Sequence, residues 1–227
     1  TAVAQLCTEA SFSSSIAVAT EAFRQAANSA EFFRQIRAEF GIEFNIISGE
    51  VEAYLTRLGV ENRAKILNFD LESSLLIDLG GASTEISFGE VNRSFSFGII
   101  TALESDKRAE ISMAMEFIKQ FKFNNIILTS GVPTTVAALK QGFNYANYRA
   151  DLINGVQIKN TDLNWAANLL KTTPNKDELV GKNRADLIVK GCEILSNLVG
   201  FSPCIVIDDG LREGLFIAKK LNLKEIK

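Results

Sequence analysis

Short β-branched runs alternate with helical stretches along this chain, and that alternation constrains the fold more than any other feature of the sequence. In the first part, strands are predicted at 15–20 and 44–49 and helices at 21–41 and 50–60. The order β-α-β-α is typical of an α/β fold with parallel strands.

The alternation restarts further along the chain. LLIDLGG at 75–81 is predicted to be a strand, and TEISFGE and RSFSFGII read as short strands joined by hairpins. The remaining predicted elements are helices at 107–122, 161–174 and 177–199, strands at 126–131 and 204–210, a helix that starts with Pro133, and a last helix at 211–221.

The most polar stretch, ENRAKILNFDLES at 61–73, is predicted to be a hinge between two α/β lobes. Residues 1–71 would belong to the first lobe and residues 72–210 to the second. The C-terminal helical segment, 211–227, is expected to pack back against the first lobe.

The composition, with 227 residues of which 47% are hydrophobic and 22% charged, is that of an ordinary globular chain. A formal charge of −3 and the lack of a long Lys/Arg run argue against nucleic acid or a membrane surface as partner. No apolar run approaches the roughly 20 residues of a membrane span. The three cysteines, Cys7, Cys192 and Cys204, are widely spaced, which predicts neither a disulfide framework nor a thiolate metal site and favours the cytoplasm.

The chain contains no histidine. A Ser-His-Asp triad, a Cys-His pair and a histidine-ligated zinc are therefore excluded. Acid and base chemistry would depend on carboxylates, and a bound metal would have oxygen ligands, which favours Mg²⁺, Mn²⁺ or Ca²⁺.

The segment LLIDLGGASTEISFGE, 75–90, carries the strongest chemical signal. Small residues allow the backbone to approach an anion closely and to point successive N–H groups at it, and hydroxyl groups add further donors. Asp78 and Glu85, at the two ends of this predicted phosphate loop, could hold a divalent cation against the same phosphate. The simpler reading is a plain β-turn with an acidic residue at its corner.

Six segments in order resemble the signature blocks of the exopolyphosphatase and guanosine pentaphosphate phosphohydrolase family. They are AVATEAFRQAAN, IISGEVEAYL, LLIDLGGASTE, IILTSGVPTTVAAL, NRADLIVKGCEIL and VIDDGLREGLF, and they cover nearly the whole chain. The resemblance implies a two-lobed, actin-like α/β fold of the ribonuclease H-like and sugar kinase superfamily, with the active site between the lobes.

The resemblance also implies roles for individual residues. Glu52, in SGEVEA, matches the family's catalytic carboxylate, which activates the attacking water, and Arg24 matches an arginine that contacts substrate phosphate. Asp78 and Glu85 match metal-associated acids. The implied phosphate-binding set comprises Arg24, Gly80, Gly81, Ala82, Ser83, Thr84, Ser130, Gly131 and Thr134.

Two departures from the family pattern stand out. A first phosphate loop of GSNS type is absent from the sequence, so the first lobe is expected to be incomplete, and Ala82 replaces a glycine that family members usually carry. The chain also stops soon after GLREG, as a short form would.

The resemblance implies Mg²⁺-dependent hydrolysis of terminal phosphoanhydride bonds in polyphosphate, in guanosine pentaphosphate, or in both. A protein that binds the guanosine tetraphosphate alarmone or polyphosphate with weak catalysis, and an actin-like ATPase or sugar kinase, are the alternatives. The sequence leaves the oligomeric state open, a homodimer included.

Overall fold

The structure, a computed structural model, describes residues 16–222. Its first part holds a two-stranded parallel sheet, β1 (Ala17–Ala19) and β2 (Phe44–Ile46). The single helix predicted for 21–41 is wrong, because the chain breaks after Gln25 into α1 (Glu21–Gln25) and α2 (Ser29–Phe40). The break lets Phe23 pack on Phe33, whose ring in turn stacks on Phe44 of β2. This aromatic cluster anchors the two short helices to the small sheet.

The next helix, α3 (Gly49–Ile66), is longer than the sequence predicts. Ser48 caps it by accepting a hydrogen bond from the N–H of Val51. Arg63 and Lys65 lie in its last turn, where their positive charges interact favourably with the negative end of the helix dipole. The first half of the predicted hinge is therefore helical, and residues 67–73 form the connection.

A six-stranded mixed sheet forms the centre of the second part, with the order β5-β4-β3-β6-β8-β7. The pairs β3–β6 and β6–β8 are parallel, and the other pairs are antiparallel. The predicted hairpins are confirmed as β3–β4 and β4–β5. The strands are β3 (Ser74–Leu79), β4 (Thr84–Phe88), β5 (Val91–Phe95), β6 (Asn125–Thr129), β7 (Gln157–Ile158) and β8 (Cys204–Val206).

Helices cover both faces of this sheet. One face packs Leu75, Ile77 and Leu128 into the larger core, with residues of several of the later helices. The other face packs Leu76 and Ile127 against α3. The remaining helices are α4 (Ile99–Glu104), α5 (Arg108–Ile118), α6 (Gly131–Lys140), α7 (Ala150–Ile153), α8 (Asn160–Thr172), α9 (Lys176–Val180), α10 (Ala185–Val199) and α11 (Leu211–Lys220).

Glycines permit a very close contact between α3 and the last helix, α11. A Cβ atom at Gly214 would lie 1.8 Å from the carbonyl oxygen of Leu55, and one at Gly59 would lie 2.2 Å from the carbonyl oxygen of Gly210. Both helices therefore meet backbone to backbone. Residues 223–227 of the predicted C-terminal segment, like Cys7, lie outside the described residues.

Pro133 occupies the third position of α6 rather than the first. The N–H groups of a helix's first turn have no partner within the helix, so proline is tolerated there as well. The strand before it ends at Thr129, and Ser130 forms the turn.

Candidate active site

Four polar side chains form one row across the large sheet. Asp78 of β3 pairs in register with Glu85 of β4 on one side and with Thr129 of β6 on the other. Glu85 in turn pairs with Ser94 of β5 and accepts a 2.7 Å hydrogen bond from its hydroxyl group. Register partners point to the same face of a sheet. Because Leu76 faces α3, Asp78 two residues later also faces α3.

The first turn of α3 lies directly against this row. A Cβ atom at Gly49 would lie 2.3 Å from the Cβ of Ser94, so only glycine fits there without a shift. This contact brings Glu52, in the same turn, towards the two acids of the row. Four residues further along α3, the hydroxyl group of Thr56 donates to Asp78 at 3.4 Å. The helix therefore contributes its own carboxylate and a contact to Asp78.

Arg24 holds Glu52 from the other side. Both terminal nitrogens of Arg24 donate to Oε2 of Glu52, at 3.1 and 3.2 Å. The same guanidinium donates to the carbonyl oxygen of Ile47 at 2.6 Å and to Glu21 at 2.8 Å. In this structure the donors of Arg24 are thus engaged with the protein. An incoming phosphate would compete with Glu52 for them.

The three acids interact electrostatically, and their pKa values are raised. Burial is the largest cause in each case. The pKa of Glu52 rises to about 6, against the lowering effect of Arg24, and that of Asp78 also rises to about 6. The pKa of Glu85 rises to about 8, because the charges of Glu52 and Asp78 add to the effect of burial. The negative charge of the three carboxylates is therefore only partly offset by Arg24 and by the surrounding hydrogen-bond donors.

The loop between β3 and β4 has paired carbonyl oxygens but leaves successive N–H groups without backbone partners. The N–H groups of Ile99 and Ile100, at the start of α4, donate to the carbonyl oxygens of Gly80 and Gly81 at 3.0 and 2.8 Å. By contrast, the N–H groups of Gly81, Ala82 and Ser83 donate to no backbone carbonyl within residues 16–222. Unpaired N–H groups in succession are what a phosphate needs.

Gly98 fixes the path of this loop. A Cβ atom at Gly98 would lie 2.4 Å from the carbonyl carbon of Gly81 and 2.6 Å from the nitrogen of Ala82. The loop backbone therefore packs directly on the backbone before α4. This contact accounts for the glycine at 98, which the sequence reasoning did not select.

Ser130 links the second predicted loop to the first. Its hydroxyl group donates to the carbonyl oxygen of Leu79 at 2.9 Å. Its backbone has φ 86° and ψ 179°, a region used almost only by glycine. Strain of this kind persists only where the surroundings impose it, and it is common at functional sites. Ser130 and Gly131 therefore lie beside the phosphate loop.

Thr134 lies deeper in the second part, on the wall of a cavity of about 390 Å³. The cavity lies between α6 and the segments around Tyr145 and Arg184, and no residue of 80–84 lines it. The hydroxyl group of Thr134 donates to the carbonyl oxygen of Ser130 at 2.9 Å. The structure thus brings the predicted residues together in one region, with Thr134 at its margin.

The sequence reasoning missed several residues of this region. Thr56 could have been found, since it follows Glu52 by four positions on one helix face. Ser94 could not, because its place beside Glu85 depends on the strand register. The cavity residues come from three separate segments, one with Tyr145 and Tyr148, one with Arg184 and one with Asp208, and these segments share no sequence pattern.

The acids can accommodate a divalent cation only together with other ligands. Within the described part of the chain, no three carboxylate or thiol groups lie close enough to hold a metal ion alone. Mg²⁺ typically binds through one or two carboxylates, several waters and substrate phosphates. Asp78 and Glu85, with uncompensated charge beside a loop of free N–H groups, fit that mode of binding.

A mixed sheet with helices on both faces, and with acids and N–H groups gathered where β3 turns back, is typical of the actin-like α/β fold. The chain belongs to the Ppx/GppA phosphatase family, whose model matches residues 1–223. Within residues 16–222, no helix is long and apolar enough to cross a membrane.

Individual relatives support this assignment. The bifunctional 3-dehydroquinate synthase/phosphatase of Fusobacterium nucleatum is 26% identical over 215 residues, which cover 82% of this chain and 31% of that protein. A guanosine-5'-triphosphate,3'-diphosphate pyrophosphatase of Pseudoalteromonas translucida is 29% identical over 143 residues, 55% of this chain and 28% of that protein. This chain thus spans under a third of the length of these two relatives.

Among solved structures, a Ppx/GppA family member of Aquifex aeolicus superposes with a TM-score of 0.74 at 25% identity. The match covers 98% of this chain and 79% of that one. The actin-like fold expected from the sequence is thereby confirmed.

Proposed function

We propose that this protein hydrolyses the terminal phosphoanhydride bond of inorganic polyphosphate, of guanosine pentaphosphate, or of both, in a Mg²⁺-dependent reaction. The observation that carries the proposal is the meeting of three carboxylates with raised pKa values, Glu52, Asp78 and Glu85, at a loop with free N–H groups. The site would lie in a cleft between two lobes, residues 1–71 and 72–210, with the last helical segment returning to the first lobe.

In this mechanism Glu52 is the base. A water molecule attacks the terminal phosphorus, its proton passes to the carboxylate of Glu52, and the bond from phosphorus to the bridging oxygen breaks. The products are inorganic phosphate and a chain shortened by one phosphate. A pKa of about 6 suits this role, because the carboxylate is ionised at neutral pH yet more basic than an ordinary glutamate.

The other residues bind and orient the phosphates. The N–H groups of residues 80–84 would take up charge on the phosphate oxygens, and Ser130, Gly131 and Thr134 would support the neighbouring loop. Arg24 would exchange part of its contact with Glu52 for a contact with substrate phosphate, which would also free Glu52 for the water. Phosphoryl transfer depends mainly on such positioning and charge stabilisation.

Asp78 and Glu85 would hold the Mg²⁺. When bound, the cation would neutralise charge that develops on the phosphate oxygens. It would also offset the repulsion from Glu52 and Asp78, which adds to burial in raising the pKa of Glu85.

The direct test is release of inorganic phosphate by the purified protein from long-chain polyphosphate and from guanosine pentaphosphate, with Mg²⁺ and with a chelator. We expect release from at least one substrate, abolished by the chelator. ATP serves as the comparison substrate: consumption of ATP alone would instead identify an actin-like ATPase. Binding of guanosine tetraphosphate with no phosphate release from any substrate would identify a binding protein.

A further inference from the structure

A second cavity lies between α3 and the turn that joins β4 to β5. Its volume of about 370 Å³ is in the range typical of small-molecule sites. Tyr54 and Leu58 provide apolar wall, whereas Arg57, Glu61 and Asn92 provide polar groups. None of these residues belongs to the proposed phosphate site, so the cavity is distinct from it.

Unpaired polar atoms gather at this second cavity. Within residues 16–222, three buried side-chain atoms have no hydrogen-bond partner, namely Nη1 of Arg57, Oγ of Ser87 and Oδ1 of Asn92. Arg57 and Asn92 line the cavity, and Ser87 is the register partner of Asn92. Ser87 also pairs in register with Leu76, which faces α3, so the three atoms lie between the sheet and that helix. Because buried polar groups without partners are costly, such a cluster indicates a site that a ligand completes.

Arg57 carries a positive charge that its surroundings do not neutralise. Its Nη2 donates to the carbonyl oxygen of Leu71 at 3.2 Å, and no carboxylate of residues 16–222 forms an ion pair with it. Burial lowers the pKa of Arg57, and the charges of Glu61 and Glu72 offset this effect only in part. A planar guanidinium with a free terminal nitrogen is suited to bind a carboxylate.

The cavity also presents hydrogen-bond acceptors. Nδ2 of Asn92 donates to the carbonyl oxygen of Glu90 at 3.0 Å, which leaves Oδ1 as the free end of the amide. The carboxylate of Glu61 is paired with Lys65 at 2.8 Å, but both side chains are exposed, so this ion pair is weak. An amide oxygen and a carboxylate together suit a cationic donor such as an ammonium group.

We infer that this cavity binds a small zwitterion, a free α-amino acid with an apolar side chain. The carboxylate of the ligand binds Arg57, and its ammonium group binds Asn92 and Glu61. Glu61 repels a simple anion and Arg57 repels a simple cation, so a ligand that carries both charges is the one that matches the cavity. Tyr54 and Leu58 contact the apolar side chain. The inference goes beyond the proposed hydrolysis and does not depend on it.

The test is calorimetric binding, without Mg²⁺ or phosphate, of three probes that share one carbon skeleton: L-leucine, 4-methylpentanoate, which lacks the ammonium group, and 3-methylbutylamine, which lacks the carboxylate. The wild type should bind leucine at least about tenfold more tightly than either analogue, since a hydrogen bond to a charged group is worth roughly 10- to 100-fold. Arg57→Gln should reduce leucine affinity at least about tenfold and leave 3-methylbutylamine binding no weaker. Asn92→Ala should weaken leucine and 3-methylbutylamine and leave 4-methylpentanoate unchanged, so it tests the other end of the ligand if Arg57→Gln does not fold.

Arg108→Gln is the matched control, because Arg108 is an exposed arginine paired with Asp106 and does not line the cavity, and it should bind leucine as the wild type does. Three results would each overturn the inference: no binding of leucine by the wild type, equal affinity for the three probes, or leucine affinity unchanged in the folded cavity variants. Phosphate release from polyphosphate judges the proposed function separately, since that assay contains no amino acid. A protein that releases phosphate and does not bind leucine would retain the function and lose the zwitterion site.

Discussion

Asp78 and Glu85 are direct register partners on neighbouring antiparallel strands, with both side chains on the face that packs against α3. Like charges in such a pair are destabilising. Here both groups are also largely enclosed, and Glu52 adds a third charge nearby. A sheet that only needed stability would not place acids in this position, whereas a cation site does.

If these two acids hold Mg²⁺, replacing either one by its amide should weaken Mg²⁺ binding without destabilising the fold. Asp78→Asn and Glu85→Gln remove one ligand charge each, so the Mg²⁺ concentration for half-maximal phosphate release should rise, by roughly tenfold or more. Glu90→Gln is the matched control, because Glu90 is an exposed residue in the turn between β4 and β5. An unchanged Mg²⁺ requirement in both site variants would remove Asp78 and Glu85 from the metal site.

The raised pKa of Glu85 predicts a specific dependence of stability on pH in metal-free protein. Its folded pKa of about 8 lies above the ordinary value of 4.5, so between these values the folded state binds more protons than the unfolded state. The free energy of unfolding should therefore fall as the pH rises from about 4.5 to about 8. Glu85→Gln removes this group, so it should be more stable than wild type at pH 9, by upwards of about 1 kcal/mol.

Urea unfolding with a chelator, at pH 5 and pH 9, measures this difference. At pH 5 the wild type and Glu85→Gln should be close in stability, because the glutamate is then mostly protonated in the folded state. Saturating Mg²⁺ should reduce the difference in stability between the wild type and Glu85→Gln at pH 9. Parallel pH dependence of the two proteins would show that Glu85 does not titrate as described.

The contact between Gly49 and Ser94 can be tested by a paired substitution. Gly49→Ala places a methyl group 2.3 Å from the Cβ of Ser94, so the variant should lose about 1–3 kcal/mol of stability and displace Glu52. Ser94→Gly removes the two atoms that this methyl group would meet, the Cβ and the Oγ of Ser94. The double variant should therefore recover most of the stability in urea unfolding, although Glu85 loses its hydroxyl donor. Full stability in Gly49→Ala alone would contradict the close contact.

The sequence predicts much of this fold because its signals are local. The apolar runs at 75–81 and 126–131 and the small residues between Asp78 and Glu85 identify strands and a tight turn without knowledge of their partners. The predicted helix at 21–41 failed because helical spacing persists through Asn28, whereas the chain leaves the helix after Gln25 and packs Phe23 on Phe33. Similarly, the polarity of 61–73 suggested a hinge, while its first residues extend α3.

The site was predicted through its resemblance to a family, which identified residues and not their contacts. The hydrogen bonds from Arg24 to Glu52 depend on how α1 packs beside α3. No local pattern in the sequence predicts this packing. The cavity residues Tyr145, Arg184 and Asp208 are likewise brought together only by the tertiary fold, so no local pattern in the sequence indicates the cavity.

The most direct test of the account compares Glu52→Gln with Glu50→Gln. Both residues lie in the first turn of α3, but Glu52 is 9% exposed and bonded to Arg24, whereas Glu50 is exposed. Glutamine keeps the size of Glu52 and removes its basic oxygen. Phosphate release from polyphosphate or guanosine pentaphosphate should fall roughly 10² to 10⁴-fold in Glu52→Gln, with binding of polyphosphate retained. Glu50→Gln should behave as wild type, and near wild-type release by Glu52→Gln would contradict its assignment as the base.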